Sequence, residues 1–427
     1  MLNRTQAPHI TSPVEFDFNL LPVERHTLSN GMPLYAVRDH IEPVFQLEWV
    51  FQAGAWHEPA FGVAAATFGL LKSGTDKRSS FEINNFIEQR GASLKAGAGP
   101  DWASIQLSGL TRHLPELLPL VMELITETIY PQHELDLYIQ NAKERLRVQL
   151  KKGDFVANRK IDEFLFGLQH PYGRYMQAEN FDAINRNDLL QYRENYLNPQ
   201  NGQLFLAGEF SDSDIEAINQ LVGQTHWNKP QSITVPALSI VSEPQKKCRI
   251  TNDEHSVQGA IRLLAPFPEK THADFTPMIV LNTLFGGYFG SRLMSNIREE
   301  KGYTYGIHSY LYNNRFLGAH LITTEAGRDV CEPCLDEIYK EMELLRREPV
   351  DAEELELVKN YLLGSIMGDL DGAFQNMQRW KNLILNGFTE ERFYNNIRIY
   401  KTIEAEQLQA LANTYLQPDR FYELIVY

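Results

Sequence analysis

The sequence predicts an α+β protein made of two similar halves, each with an antiparallel-rich sheet backed by helices. A weak internal repeat supports this prediction: YLNP at 196–199 is matched by YLQP at 415–418, and EL at 134–135 is matched by EL at 354–355. The pairs keep their order along the chain, with offsets of 219 and 220 residues. Strand and helix patterns also mix without regular βαβ alternation, which favours antiparallel sheets.

Hydrophobic periodicity gives the elements of both halves in a similar order. The clearest helical face lies within 114–128, where Leu117, Val121 and Leu124 share one side. In the first half the predicted elements are strands within 32–54, helices 62–71 and 80–90, strand 102–110, and helices 114–128 and 132–150. In the second half they are strand 260–265, helix 277–284, strands 305–312 and 318–323, and helices 334–346 and 352–368.

A stretch that contains prolines and shows little helical periodicity, 228–247, is interpreted as the linker between the halves. The predicted organisation is therefore a first half at 1–227, a linker at 228–247 and a second half at 248–427. The length of 427 residues suits two or three domains.

Composition and charge exclude several classes of protein. With 43% hydrophobic and 22% charged residues, the chain is neither disordered nor fibrous. Its net charge of −15 opposes binding to phosphate backbones, so no nucleic-acid partner is expected. No apolar run reaches the roughly 18–20 residues of a membrane helix, and no secretory signal is found, so no membrane partner is expected. Three cysteines fit a reducing compartment, and the expected localisation is cytoplasmic.

The usual patterns of a self-contained catalytic centre are missing from the sequence. Neither HExxH nor HxxEH occurs, and there is no G-x-S-x-G elbow. Cys331 and Cys334 form a CxxC pair, but no second ligand pair accompanies them. We interpret this pair as part of a helix N-terminus, with Pro333 near the first turn.

Three segments together resemble the pitrilysin/insulinase (M16) zinc peptidase family, whose fold is LuxS-like. They are FQAGAWHE at 51–58, GVAAATFGLLKSGT at 62–75 and SRLMSNIREEKGYTYGIHS at 291–309, of which the last is the most specific. The resemblance covers most of the chain, including its two-half repeat. It implies a family activity of zinc-dependent peptide hydrolysis, that of a metalloendopeptidase.

Active members of the family carry an inverted HxxEH motif where this chain has Ala65, Phe68 and Gly69. The resemblance places the two zinc-binding histidines at 65 and 69 and the catalytic glutamate at 68. Alanine and glycine side chains have no donor atoms, and phenylalanine cannot take a proton from water. We therefore expect no zinc or other cofactor in this chain. The third family ligand is a glutamate further downstream, for which Glu144 is the nearest candidate.

The family also carries an arginine and a tyrosine seven residues apart in its second half, and here they are Arg298 and Tyr305. The resemblance implies that the pair faces the catalytic half of another chain across a closed chamber. This chain is similar to the subunit of short two-chain peptidases that lacks the zinc motif. A zinc-bearing M16 homologue is therefore the expected heterodimer partner, with zinc on that partner; the fold also allows a homodimer.

Two functions from different classes follow from the resemblance. The first is a non-catalytic, substrate-binding subunit that supplies Arg298 and Tyr305 to the partner's active site, with a peptide or unfolded polypeptide as substrate. The second is a structural or peptide-binding scaffold of the same fold with no role in catalysis. The presence of both Arg298 and Tyr305 favours the first. An enzyme that acts alone has no support, because nothing in the sequence organises a nucleophile and a base.

Overall fold

The computed structural model describes residues 15–225, 227, 240–312 and 314–427. It contains two sheets backed by helices, which confirms the predicted fold class. The first half contains β1 (Glu24–Thr27), β2 (Pro33–Arg38), β3 (Val44–Phe51), α1 (Val63–Gly69), α2 (Ser80–Glu88), β4 (Ser93–Ala98), β5 (Ala103–Leu110), α3 (Leu114–Glu127), α4 (Gln132–Gln149), α5 (Gly153–Phe166), α6 (Ala178–Asp182), α7 (Arg186–Tyr196), β6 (Gly202–Gly208) and α8 (Asp212–Ile218). The second half contains β7 (Lys247–Ile250), β8 (Gln258–Phe267), α9 (Phe275–Asn282), β9 (Thr304–Leu311), β10 (Gly318–Gly327), α10 (Cys331–Arg347), α11 (Ala352–Gly368), α12 (Gly372–Leu385), α13 (Glu390–Thr402), α14 (Ala405–Tyr415) and β11 (Tyr422–Val426).

The two sheets share one topology over five strands, and the first has β1 as an additional edge strand. The first has the strand order β1-β2-β6-β3-β5-β4, and the second has the order β7-β11-β8-β10-β9. Each contains one parallel pair, β2 with β6 and β7 with β11, and the other pairs are antiparallel. The repeated YLNP and YLQP segments lead directly into β6 and β11, the equivalent inner strands. By the same correspondence, β4 and β9 are equivalent edge strands.

The predicted helical face of 114–128 is the buried face of α3. Leu117, Val121 and Leu124 are fully buried in the first-half core, because their spacing brings them to one side of the helix. The predicted helix 352–368 coincides with α11, whereas the predicted helix 277–284 begins earlier, at Phe275. None of the described helices combines the length and apolar character needed to cross a bilayer.

One helix from each half packs on the sheet of the other half. Helix α5 lies on β8 and β11, where Ile161 and Phe164 join the same apolar cluster as Leu264 and Val426. Helix α12 lies on β2 and β6 in the equivalent way. The two sheets are therefore joined by two crossing helices as well as by the chain between them.

The predicted linker is described only at its end, since 228–239 lies outside the described residues. Two hydrogen bonds attach the described part to the end of α5. Ser242 Oγ donates to the Leu165 carbonyl at 2.7 Å, and the Glu243 amide donates to the Phe164 carbonyl at 2.8 Å. The division of the chain at 228–247 stays a prediction.

Candidate functional site

Helix α1 carries the positions of the family's zinc motif, and a buried carboxylate anchors its N-terminus. Oε2 of Glu58 accepts the amide protons of Gly62 and Ala64, both at 3.1 Å. Its Oε1 is 2.6 Å from Nη2 of Arg174. These contacts satisfy amides that have no partner within the helix. Burial raises the pKa of Glu58, although Arg174 acts in the opposite direction.

The three motif positions of α1 offer no metal ligand. Ala65 and Gly69 are exposed, one helical turn apart, whereas the Phe68 ring is buried in the first-half core. Since none of the three side chains has a donor atom, zinc does not fit here. Across the described residues, no group of three or more His, Cys, Asp or Glu side chains is placed to hold a metal ion.

Helix α4 covers the motif with an aromatic ring. A Cβ added at Gly69 would lie 3.2 Å from Cε2 of Tyr138, which is tighter than an ordinary carbon–carbon contact. Burial raises the pKa of Tyr138. Glu144, the candidate for the third ligand, is exposed, and its Oε2 is 2.9 Å from Nη2 of Arg147. Sequence reasoning missed Tyr138, because a tyrosine on an amphipathic helix looks like an ordinary core residue.

Tyr305 lies at a β-bulge in β9, the edge strand of the second sheet, and its side chain is 90% exposed. The register between β9 and β10 shifts here, so that Tyr305 and Gly306 face a single residue. Two threonines hold the bulge. Thr304 Oγ1 accepts the Gly306 amide proton at 3.0 Å, and Thr324 Oγ1 donates to the Gly306 carbonyl at 2.9 Å. The bulge therefore fixes the backbone that carries Tyr305.

Arg298 lies on the helical turn Met294–Glu300, which packs against β9. The Ile307 amide nitrogen of β9 is 3.4 Å from Sδ of Met294 in this contact. The Arg298 guanidinium lies over the exposed ring of Phe289, 4.7 Å from its centroid. In the described part of the chain, Arg298 has no carboxylate partner. Its donors are therefore available to a ligand.

The structure places the two candidate sets in different halves. Ala65, Phe68 and Gly69 lie on α1, which packs against β4 and β5 of the first sheet. Arg298 and Tyr305 lie together at the β9 edge of the second sheet. One chain therefore presents a motif without donors in one half, and a half-buried arginine and an exposed tyrosine in the other.

A buried serine–histidine pair in the second sheet is arranged for a structural role and not for catalysis. Ser309 Oγ is 2.6 Å from both Nε2 of His320 and Oδ1 of Asn282. The Asn282 amide group donates to the Ser309 carbonyl at 3.0 Å, so its Oδ1 accepts the serine proton. His320 must then donate to the serine, and burial lowers the pKa of His320 to about 3. Ser309 therefore donates its proton to Asn282, and His320 does not act as a base toward it.

The CxxC pair begins α10, as predicted, and both thiols are buried. Burial raises the pKa of Cys331 to about 11 and that of Cys334 to about 12. Thiolates are the reactive and metal-binding form of cysteine, so these side chains act as core residues.

Comparisons with known proteins agree with this architecture. A family model described as "Peptidase M16 inactive domain" matches residues 183–362. The "Uncharacterized zinc protease YmxG" of Bacillus subtilis (strain 168) is 22% identical over 410 residues, which cover 94% of this chain and 98% of that protein. The "Non-peptidase homolog YmxG" of Helicobacter pylori (strain ATCC 700392 / 26695) is 22% identical, covering 78% and 77%. The "Mitochondrial-processing peptidase subunit alpha" of Pongo abelii is 22% identical, covering 81% and 70%.

Among solved structures, the peptidase M16 inactive domain from Pseudomonas fluorescens superposes with a TM-score of 0.86 at 22% identity, covering 95% of this chain and 98% of that one. The fold is M16-like, and residues 183–362 match the model that is described as the family's inactive domain. The resemblance to the pitrilysin/insulinase (M16) family is confirmed, and one of the similar proteins is named a non-peptidase homolog.

Proposed function

We propose that this chain is the non-catalytic, substrate-binding subunit of a heteromeric M16-type zinc metallopeptidase. It supplies Arg298 and Tyr305 to the active site of a zinc-bearing M16 homologue. One observation carries the proposal. Both side chains are available at the edge of the second sheet, while α1 in the first half has lost every ligand position of the motif.

The chemistry of the two side chains suits peptide hydrolysis. The partner's zinc would supply an activated water. The guanidinium of Arg298 presents a planar set of N–H donors that can hold a peptide carbonyl or a carboxylate. The hydroxyl of Tyr305 can donate to the oxyanion that forms on the scissile amide. Both residues therefore act on substrate held by the partner.

The β9 edge suits an extended substrate. Beyond β10, β9 has no second neighbouring strand among the described residues, so its outer backbone groups can pair with a peptide. His308 and Tyr310 are exposed along the same strand as Tyr305. A peptide or an unfolded segment would bind here as an added strand. The name of one relative, mitochondrial-processing peptidase subunit alpha, also describes a subunit rather than a complete enzyme.

The second candidate function is a scaffold of the same fold with no role in catalysis. An aromatic surface beside Arg298 would suit the scaffold function equally well. It consists of Phe289 and of Tyr288, whose ring lies 4.6 Å from that of Tyr361. Such a surface suits contact with another protein. The two functions differ in whether a complex depends on Arg298 and Tyr305 for activity.

The deciding experiment combines zinc analysis with a cleavage assay. The purified chain is assayed for bound zinc and for cleavage of a quenched peptide, first alone and then with a zinc-bearing M16 homologue from the same genome. We expect no zinc and no cleavage from the chain alone, and cleavage on mixing. Arg298→Ala should lower this activity roughly tenfold or more, whereas Arg347→Ala, at an exposed ion pair on α10, should not.

Each other outcome contradicts part of the proposal. Stoichiometric zinc or chelator-sensitive cleavage by the chain alone would show that the interpretation of Ala65, Phe68 and Gly69 is wrong. A stable complex that cleaves equally well with and without Arg298 would support the scaffold.

A further inference from the structure

A polar cleft between the two halves forms a second candidate site, separate from Arg298 and Tyr305. Its volume is about 520 Å³, within the usual range for small-molecule sites. The walls come from the β4–β5 turn, the loop after β8, the β9–β10 turn, α12 and the residues that flank α12. The charged residues that line it are Asp101, Lys270, Arg315, Asp369, Arg379 and Lys381.

The cleft has a positive lining in an acidic protein. It contains four cationic side chains and two carboxylates, whereas the whole chain has a net charge of −15. Two of the cations already have partners: Arg379 pairs with Asp369, and Nζ of Lys381 is 2.6 Å from Oε2 of Glu48. The remaining two cations, Lys270 and Arg315, give the cleft its positive charge.

The second carboxylate, Asp101, accepts three hydrogen bonds from other donors. Its Oδ1 accepts from Trp56 Nε1 at 3.0 Å and from the Tyr172 hydroxyl at 2.5 Å. Its Oδ2 accepts from the backbone amide of Arg315 at 3.1 Å. Asp101 therefore positions the Arg315 backbone, and it forms no side-chain ion pair with Arg315 or Lys270.

Lys270 and Arg315 have no ion-pair partner in the described ranges. Nζ of Lys270 is 3.1 Å from the amide oxygen of Asn386, a neutral group. Burial lowers the pKa of Lys270 to about 8, although Asp101 acts in the opposite direction. The guanidinium of Arg315 lies over the rings of Trp102 and Phe316, 4.8 and 5.1 Å from their centroids. Stacking of this kind positions an arginine without using its N–H donors.

We propose that this cleft binds the oxyanion of a small molecule, a phosphate or a carboxylate group, between Lys270 and Arg315. An oxyanion there would pair with both unmatched cations, and arginine binds either group through two parallel hydrogen bonds. The amide side chains of Gln375, Gln378 and Asn382 line the same cleft and offer hydrogen bonds to the rest of the ligand. Because the walls come from both halves, the ligand would also hold the halves together.

Calorimetric titration of the full chain with inorganic phosphate and with succinate, at fixed ionic strength, tests the proposal. We expect saturable binding of at least one probe, weakened about tenfold or more in both Lys270→Met and Arg315→Met. Lys340→Met and Arg347→Met are the matched controls, since both residues lie on α10 in exposed ion pairs, and they should leave the affinity unchanged.

The two probes distinguish the source of the oxyanion. Binding of phosphate alone assigns a phosphate ligand, binding of succinate alone assigns a carboxylate ligand, and binding of both supports the shared chemistry. Lys270→Arg keeps the charge and should retain binding, which separates loss of charge from loss of fold. The proposal is overturned if the wild-type chain binds neither probe, or if the Lys270 and Arg315 variants bind as tightly as the controls.

Discussion

The ring of Tyr138 on α4 lies so close to the exposed Gly69 of α1 that a side chain at position 69 would require the ring to shift. The Cβ of any such side chain would stand 3.2 Å from Cε2 of Tyr138. A zinc ligand at position 69 would therefore require Tyr138 to move, as well as a donor atom that glycine does not have. Gly69 has no donor atom, and the ring of Tyr138 packs beside it.

Restoring the motif by Ala65→His, Phe68→Glu and Gly69→His should not restore a zinc site. The imidazole at 69 meets Tyr138, and a glutamate at 68 places a carboxylate in the core. The triple variant should lose about 3–5 kcal/mol of unfolding free energy, measured by urea denaturation. Ala65→His alone, at an exposed position, should change it by no more than about 0.5 kcal/mol. Stoichiometric zinc in the purified triple variant would contradict this prediction.

Tyr305→Phe should lower kcat of the complex with the zinc-bearing partner by roughly 10²-fold, as expected for the loss of one oxyanion donor. KM should change little, because the hydroxyl acts mainly in the transition state. Tyr394→Phe, at an exposed position on α13, is the control and should leave kcat unchanged. Steady-state kinetics on a quenched peptide measures both values. Equal kcat for the two variants would remove Tyr305 from the mechanism.

Glu58→Ala should destabilise the fold by about 3 kcal/mol, because it leaves the Arg174 charge without its buried partner. The side chain of Glu58 is 2% exposed and that of Arg174 is 20% exposed. Glu144→Ala, with a side chain 59% exposed, should change the unfolding free energy by no more than about 0.5 kcal/mol. Chemical denaturation followed by circular dichroism compares the two. Similar losses would mean that Glu58 does not anchor α1.

Asp162 should make stability depend on pH. Burial on α5 raises its pKa to about 7, although the Tyr312 hydroxyl donates to its Oδ1 at 2.9 Å. Between about pH 4 and pH 7 the folded chain keeps a proton on Asp162 that the unfolded chain has released. The contribution of Asp162 to the free energy of unfolding therefore falls as pH rises through this range. Asp162→Asn should remove it. The difference in unfolding free energy between the two proteins, measured at pH 5 and pH 8, should therefore change in favour of the variant at pH 8. A difference that is independent of pH would contradict the raised pKa.

Thiol labelling should distinguish the cysteines. In the native chain Cys248, which is half-buried, should react, whereas Cys331 and Cys334 should not. Their raised pKa values leave almost no thiolate near neutral pH. Titration with a disulfide reagent should give one reactive thiol when the chain is folded and three after denaturation. Rapid reaction of all three in the folded chain would reopen a redox function for the CxxC pair.

Sequence predicted the parts of the fold that depend on local pattern. Helix α3 follows from the spacing of its leucines, and the YLNP and YLQP repeat correctly marks equivalent positions in two sheets. Several elements were missed, among them β4, β6, β11, α5, α7 and α12–α14. In β4 the alternation is regular but weak, because Leu94 is its only large inward-facing residue and the next two are Ala96 and Ala98. The buried face of α5 packs against the sheet of the other half, and no local pattern identifies such a distant partner.

The candidate sites also divide into features that the sequence predicted and features that only the structure shows. Ala65, Phe68, Gly69, Arg298 and Tyr305 were found by resemblance, and the structure adds their surroundings. The bulge at Tyr305 depends on a register between two strands, and the position of Tyr138 depends on how two helices pack. The cleft between Lys270 and Arg315 joins residues far apart in sequence. Each of these features arises from long-range packing, which a single sequence does not encode in any short segment.

Because α5 and α12 each pack on the sheet of the other half, the two halves exchange helices as the subunits of a domain-swapped dimer do, but within one polypeptide. A fragment that ended after the first sheet would keep α5 but would have no α12 to cover β2 and β6. Two such fragments could cover their sheets only if each packed its α5 on β2 and β6 of the other. The segment between the halves then serves to set the effective concentration of one half around the other. A single cut within it should leave the two pieces bound together, whereas synthesis of either piece alone should yield an unfolded or self-paired product.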